Sequence, residues 1–366
     1  MRLGLTKEAP QRLRAGISYA LQTATDEGHC ALPVEELVCL SVTLLDVGEA
    51  PIRNAIEGEL AGGDVILDRI EDEPCLFLRG LHGAERDIAD RLSALARGTP
   101  PWPQIDAELA APWVEARTGK ILSASQREAI ALVLHSKVAV VTGGPAVGKT
   151  MLLDTILRIL IANGVRIRPA APTARAAKRM SDQTGIEAKT IHRLLEIHPK
   201  NGGFRKGVAD PFECDLLVLD ETSMIDVPLM NAITKAVPKR AGLLLVGFVD
   251  QLPSVGPGRV LADVIDSGAV TVARLTKCSC RLPTVTASRQ DPQPLRDRWS
   301  SVSGSGPRLF RRCPWSRAHS PSSRTLPPPA GHVQPAPLLS VCRLASSPDS
   351  FPGQTAACRR VPGRHP

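Results

Sequence analysis

The stretch "VAVVTGGPAVGKT", residues 138–150, limits the possible folds of this chain more than any other. Its apolar, largely β-branched start predicts a strand buried on both faces, and a helical apolar pattern follows it. Between them stands the spacing G-x-x-x-x-G-K-T, with Gly143, Gly148, Lys149 and Thr150 in the diagnostic places. A loop of this kind turns its backbone N–H groups inward, and the helix behind it adds the positive end of its dipole. Gly143, Gly144, Pro145, Ala146, Val147 and Gly148 are therefore the expected cradle for a nucleoside triphosphate. Lys149 is expected to reach the β- and γ-phosphates, and the Thr150 hydroxyl to ligate Mg²⁺.

From about residue 121 strands and helices alternate, which implies a largely parallel sheet covered on both faces. Strands are predicted at 137–142, 166–171, 215–220, 242–247 and 271–275, and helices at 149–163, 173–184 and 226–236. The third of these strands ends in "DETSMID", delivering Asp220 and Glu221 to the carboxyl edge where open α/β sheets bind ligands. Asp220 suits a second Mg²⁺ contact, and Glu221 suits the base that orients and deprotonates an attacking water.

Before this lobe, Leu13, Ile17, Leu21 and Ala24 recur at helical spacing, and residues 32–45 and 50–63 read as two further helices. Strands at 64–70 and 74–80 follow, joined by a polar turn. Three helices and a hairpin make a small winged-helix-like α+β module. Helix 50–61 is the recognition helix if such a module reads DNA, but Glu57 and Glu59 against the single Arg53 favour a scaffold role. Residues 81–98 read as a connecting helix, and 98–113 as a linker. The expected organisation is a helical, winged-helix-like module at 1–98, a linker at 99–120, the P-loop lobe at 121–276 and a tail at 277–366.

Composition matters chiefly for that tail. Residues 281–366 hold 13 Arg, no Lys, 3 Asp and no Glu, together with 15 Pro and 13 Ser, whereas residues 1–280 carry 32 basic and 34 acidic side chains. The formal net charge of +8 thus belongs to a segment that can bury little apolar surface and is expected to be disordered. Its cysteines, Cys278, Cys280, Cys313, Cys342 and Cys358, form no C-x-x-C pair, so no zinc site is expected. A basic arm binding nucleic acid through counterion release is the alternative for the tail. No run approaches the roughly 20 apolar residues needed to span a bilayer, so a cytoplasmic protein without membrane contact is expected.

Further motifs narrow the class. "LSASQREAI" precedes the first strand of the lobe, "APTARAAKRM" follows the second, "KTIHRLL" comes next, and "GFVDQLPSVGPG" follows the fourth. In this order and spacing they resemble the Q motif and motifs I to III of superfamily 1 DNA helicases. The wording "TIHRLL", "DETSMID" and "DQLPSVGPG" is most similar to the RecD-like ATP-dependent DNA helicases, relatives of the exodeoxyribonuclease V alpha subunit. The resemblance covers about residues 10–276 and implies a RecA-like lobe, ATP and Mg²⁺ as cofactors, and 5′–3′ movement on single-stranded or tailed duplex DNA. It also implies that Gln126 recognises adenine and that Gln251 senses the γ-phosphate. Thr173, Arg175, Thr190 and His192 match positions that touch the DNA backbone, as hydroxyl, imidazole and guanidinium donors suit. Packing on a helix surface is the alternative for His192 and Arg193.

Two residues depart from the family pattern. Ala174 stands where a glycine is usual, adding one methyl group beside the expected DNA path, and Phe248 replaces the acid of "GDVDQ". After "VARLT" the family continues into a second lobe that nothing here resembles. A one-base deletion near codon 276 of a GC-rich gene explains both the break and the Arg-, Pro- and Ser-rich text. Sequencing codons 270–285 and reading all three frames downstream tests that. The expected polypeptide is a helicase reduced to its first motor lobe, binding ATP but not unwinding DNA, with exposed inter-lobe surface that favours self-association. The alternative is a non-catalytic ATP- and DNA-binding module using the winged helix and basic tail.

Overall fold

The structure, a computed structural model, describes residues 6–70, 72–145, 147–198, 203–251 and 254–276. Ala146 and the tail expected from residue 277 onward lie outside the described residues. The chain begins with α1 (Pro10–Asp26), β1 (Ala31–Pro33), α2 (Val34–Leu45), α3 (Glu49–Gly62), β2 (Val65–Ile70) and β3 (Glu73–Leu78). The strands form an antiparallel sheet in the order β1-β3-β2, against which the three helices bury one apolar core. Leu13, Ile17, Leu21 and Ala24 on α1 meet Leu37 and Val38 on α2 and Ile52 and Ile56 on α3 there. This is a winged-helix-like module, with β2 and β3 as the wing.

On α3 the charges are used within the module. Arg53 donates to both carboxylate oxygens of Glu35 at 3.1 and 2.7 Å and lies 3.7 Å from Glu49, while the buried Glu59 is held by Arg14. Glu57 remains exposed. A helix whose one central cation is already paired offers little to a phosphate backbone, as its acidic composition suggested.

Next come α4 (Arg79–Ala96), α5 (Ala107–Thr118) and α6 (Ala124–His135), then β4 (Val138–Gly143), α7 (Lys149–Ala162), β5 (Ile167–Ala171) and α8 (Ala174–Thr184). Two short elements follow, β6 (Lys189–Thr190) and α9 (Ile191–Leu195). The described fold then ends with β7 (Leu216–Leu219), a 3-10 turn at Thr222–Met224, α10 (Val227–Ala236), β8 (Gly242–Gly247), α11 (Val260–Asp266) and β9 (Thr271–Leu275). Six strands lie parallel in the order β6-β5-β7-β8-β4-β9, giving a RecA-like lobe.

The period of two along each strand sorts the core into two layers. Val138, Val140, Leu217, Leu219, Leu243 and Leu245 face one side, packed by α4, α9, α10 and α11. Ala139, Val141, Leu216, Val218, Leu244 and Val246 face the other, packed by α5, α6, α7 and α8. Such near-continuous apolar strands are what a parallel sheet with two covered faces requires. Where a linker is expected at 99–120, the structure instead forms α5, started by the Asp106 carboxylate accepting from the Glu108 N–H at 2.9 Å, and it buries Ala111 and Val114.

On α11 the half-buried Asp263 faces Glu85 of α4, and loss of hydration, then repulsion from Glu85, pushes its carboxyl up to about 8. Because the folded value lies above the unfolded one of 3.8, this group favours the native state fully only below 3.8, and that stabilisation is lost as pH rises through about 8. Asp263→Asn is expected to flatten this decline. Thermal unfolding of both proteins between about pH 5 and 9 checks it, and parallel curves would remove Asp263 as the cause.

Candidate nucleotide site

The site is built on the carboxyl ends of the parallel strands. At the end of β4, Gly143 is required by close approach: a Cβ there would lie 2.8 Å from the Leu275 carbonyl oxygen and 2.9 Å from Val147 Cγ2. Gly148 is required by conformation, since its φ of 88° puts it in the left-handed region just before α7 begins. The first N–H groups of α7 lack carbonyl partners within the helix and point into the loop.

Lys149, the first residue of α7, folds its amine over this loop. Nζ donates to the carbonyls of Gly143 at 2.5 Å and Gly144 at 2.7 Å. Burial lowers the pKa of the amine, nearby Asp220 pushes it back up, and Arg179 lowers it again. The Phe248 ring centroid lies 5.5 Å from Nζ, so this residue, where the family pattern has an acid, meets the lysine through its π face. Thr150 follows on the same turn of α7, half-buried.

β7 hands Asp220 to the next strand end but one. Its backbone N–H donates to the Ala170 carbonyl at 3.0 Å, and its Oδ1 accepts from the Glu221 N–H at 2.9 Å. Glu221 has φ 53° and ψ 39°, a left-handed conformation that a non-glycine residue rarely holds. Thr222 keeps it there: fully buried, its hydroxyl is bonded to the carbonyls of Leu219 at 3.1 Å and Val246 at 3.0 Å, tying β7 to β8. The acidic pair faces α8, whose Arg179 donates to Glu221 Oε1 at 2.8 Å and lies 3.5 Å from Asp220 Oδ2.

The other expected site residues are placed as follows. Gln126 is buried in the first turn of α6, and its Oε1 accepts from the Ser123 N–H at 2.9 Å while Ser123 Oγ accepts from the Gln126 N–H at 3.3 Å. The side-chain oxygen of Gln126 is thus part of a helix cap. Gln251 is exposed beyond β8. Thr173 and Thr190 are also caps, accepting from the N–H groups of Ala176 at 3.1 Å and Arg193 at 3.3 Å. They sit at adjacent strand ends, because Ala171 pairs with Thr190. Arg175 is exposed beside Thr173, and exposed Ala174 starts α8 with its methyl group at the surface. His192 is exposed on α9, its ring 5.9 Å from that of Phe204.

These residues fit Mg²⁺-ATP. Gly143 lets the loop pack closely on Leu275 and Val147, Gly148 supplies the left-handed turn into α7, and the lysine amine already sits on the loop's own carbonyls. Among the described residues no group of three or more His, Cys, Asp and Glu could hold a metal ion by itself. Mg²⁺ carried on phosphates needs only one or two protein oxygens, which Asp220 and Thr150 can supply. Sequence reading missed Arg179 and Thr222, whose letters lie inside quoted motifs but whose roles depend on tertiary placement.

Residues 126–257 match the family described as AAA domain. The ATP-dependent RecD2 DNA helicase of Deinococcus radiodurans is 32% identical over 291 residues, covering 76% of this chain and 40% of that protein. The RecBCD enzyme subunit RecD of Mycolicibacterium smegmatis is 36% identical over 175 residues, covering 41% of this chain and 32% of that subunit. The ATP-dependent DNA helicase dda of Enterobacteria phage T4 is 36% identical over 148 residues, with 37% and 34% covered. The chain therefore spans 40% or less of the length of each of these three relatives. Among the described residues no helix is long and apolar enough to cross a membrane.

Proposed function

We infer, from a chain whose homologues are RecD-like DNA helicases, that its parallel-sheet lobe binds Mg²⁺-ATP and grips the backbone of single-stranded DNA. The observation that carries this reading is the convergence of the Lys149 amine, the loop of Gly143 and Gly148 and the Asp220–Glu221 pair on one sheet edge. Bound there, Mg²⁺-ATP supplies a hydrolysable phosphoanhydride bond. Lys149 exchanges loop carbonyls for phosphate oxygens, and Thr150 with Asp220 holds the metal. Glu221 takes the proton of the attacking water at its carboxylate, and Gln251 reports the γ-phosphate to the DNA side. Gln126 holds the base edge, a role taken from its place in the motif before β4, for which its side chain leaves the cap of α6.

On the DNA side, Thr173, Arg175, Thr190 and His192 contact phosphates without choosing a base. The proposed organisation keeps residues 1–98 as a scaffold module and 121–276 as the first motor lobe, with 99–120 joining them.

Unwinding needs two lobes that close and open around alternating grips on the strand. The described residues build one RecA-like lobe, and an arginine reaching the phosphates from an opposing lobe is worth roughly 10³ to 10⁵ in rate in other P-loop enzymes. This polypeptide alone accordingly holds ATP with slow turnover and does not separate a duplex. Self-association is proposed through the apolar surface that an opposing lobe would otherwise cover.

The test uses the full 366-residue chain, a fluorescent ATP analogue and a 5′-tailed duplex. Saturable, Mg²⁺-dependent nucleotide binding without strand separation is expected. Lack of nucleotide binding overturns the site, and unwinding at an ordinary helicase rate overturns the single-lobe reading.

A further inference from the structure

Beside α8 lies a cavity of about 640 Å³ whose walls include Thr173, Arg175, Lys178, Arg179 and Glu221. Arg179 stands on its boundary. One of its nitrogens, Nη2, bonds Glu221 and approaches Asp220, while the half-exposed remainder of the side chain lines the space beside Arg175 and Lys178. The pairing is set by the backbone: Glu221 is held left-handed between the anchored Asp220 N–H and the buried Thr222 hydroxyl, which aims its carboxylate at α8.

Two adjacent carboxylates repel each other, and each here is largely buried, so the pair needs a cation. In this structure Arg179 fills that need. Mg²⁺ at Asp220 meets the same need when nucleotide is held, and it then weakens the hold of the acids on Arg179. A guanidinium is planar, always charged and shaped to donate two parallel hydrogen bonds to a phosphate. While the acids hold Nη2, that end of the guanidinium and the charge it carries are engaged, so a DNA phosphate competes with Asp220 and Glu221 for Arg179.

We propose that Arg179 is a positioning residue that couples the two ligands, paired with Asp220 and Glu221 when nucleotide is absent and released to a backbone phosphate in the neighbouring cavity when Mg²⁺ occupies the acids. This rests on the function proposed above and adds the residue that links its two sites. Coupling of this kind is reciprocal, so DNA tightens Mg²⁺-nucleotide binding by the same factor that nucleotide tightens DNA binding.

The test measures binding of fluorescein-labelled dT15 to the full chain by anisotropy, with and without saturating Mg²⁺-AMP-PNP, at fixed salt. The wild type is expected to bind DNA about five-fold or more tightly with the nucleotide. In Arg179→Ala the ratio falls to about one, although each ligand still binds, and Arg179→Lys keeps part of it because the charge remains. Glu221→Gln releases Arg179 from the other side. Its DNA affinity without nucleotide rises and its ratio falls, a gain that damage to the fold does not produce. An R179A ratio equal to that of the wild type, or an E221Q variant that binds free DNA no better, overturns the coupling alone. A wild-type chain that binds neither ligand overturns the proposed function together with it.

Discussion

Replacing Lys149 with alanine is expected to weaken Mg²⁺-ATP binding by about a hundredfold. The amine is half-buried and within 2.5 and 2.7 Å of two loop carbonyls, so it is positioned over the cradle before any phosphate arrives. Burial lowers the pKa of the amine, Asp220 raises it and Arg179 lowers it again, so the amine sits partly desolvated beside an acid at the loop. Truncating one partner of a buried, hydrogen-bonded charge pair costs about 2 to 5 kcal/mol, and about 3 kcal/mol corresponds to roughly a hundredfold in affinity. The fold is expected to survive, because α7 is anchored by Leu152, Leu153, Ile156, Leu157 and Leu160 rather than by the lysine. Titration of a fluorescent ATP analogue into both proteins measures the loss. A change below about threefold would place the phosphates elsewhere.

Trp102→Ala is expected to destabilise the protein by about 3 to 5 kcal/mol. Trp102 lies in the Pro-rich stretch that reads as a linker, yet it is 7% exposed and belongs to the core under α6 and α7. Its Nε1 donates to the Leu134 carbonyl at 2.9 Å, near the end of α6. The ring also sets what begins β8, since a Cβ on Gly242 would lie 2.9 Å from Cη2 and Cζ3. Alanine here removes the ring's contacts, leaves a void and strands a buried carbonyl. Against a usual stability of about 5 to 15 kcal/mol, that is a large fraction, expected to lower the melting temperature by roughly 10 °C. A shift below about 3 °C in a thermal melt would mean that this stretch is a loose tether after all.

The sheet was legible because its strands are long apolar runs. Val138–Gly143 and Gly242–Gly247 announce themselves, and Asp220 and Glu221 end another such run, Leu216–Leu219, at the carboxyl edge of the sheet. β1 and β6, at three and two residues, are too short to show any period, and they form because neighbouring strands offer open hydrogen bonds. α5 was hidden by Pro112 inside it and by an exposed Leu109, while the residues it buries include the small Ala111. At the site, motif letters located Lys149, Asp220 and the capping threonines. They gave no sign that Arg179, one cation among three on α8, is the one that reaches the acids. Nor could they show that the Phe248 ring turns toward the Lys149 amine.

Leu81, Ile88, Leu92 and Leu95 of α4 lie in the same apolar cluster as Val140, Leu217 and Leu245 of the large sheet. The small amino-terminal unit is therefore not an appendage that evolution or an experimenter can trim at will. A chain started near residue 121 would strip α4 from that layer and uncover the apolar side chains of α10 and β4 beneath it, so the parallel-sheet lobe owes part of its solubility to the segment that precedes it.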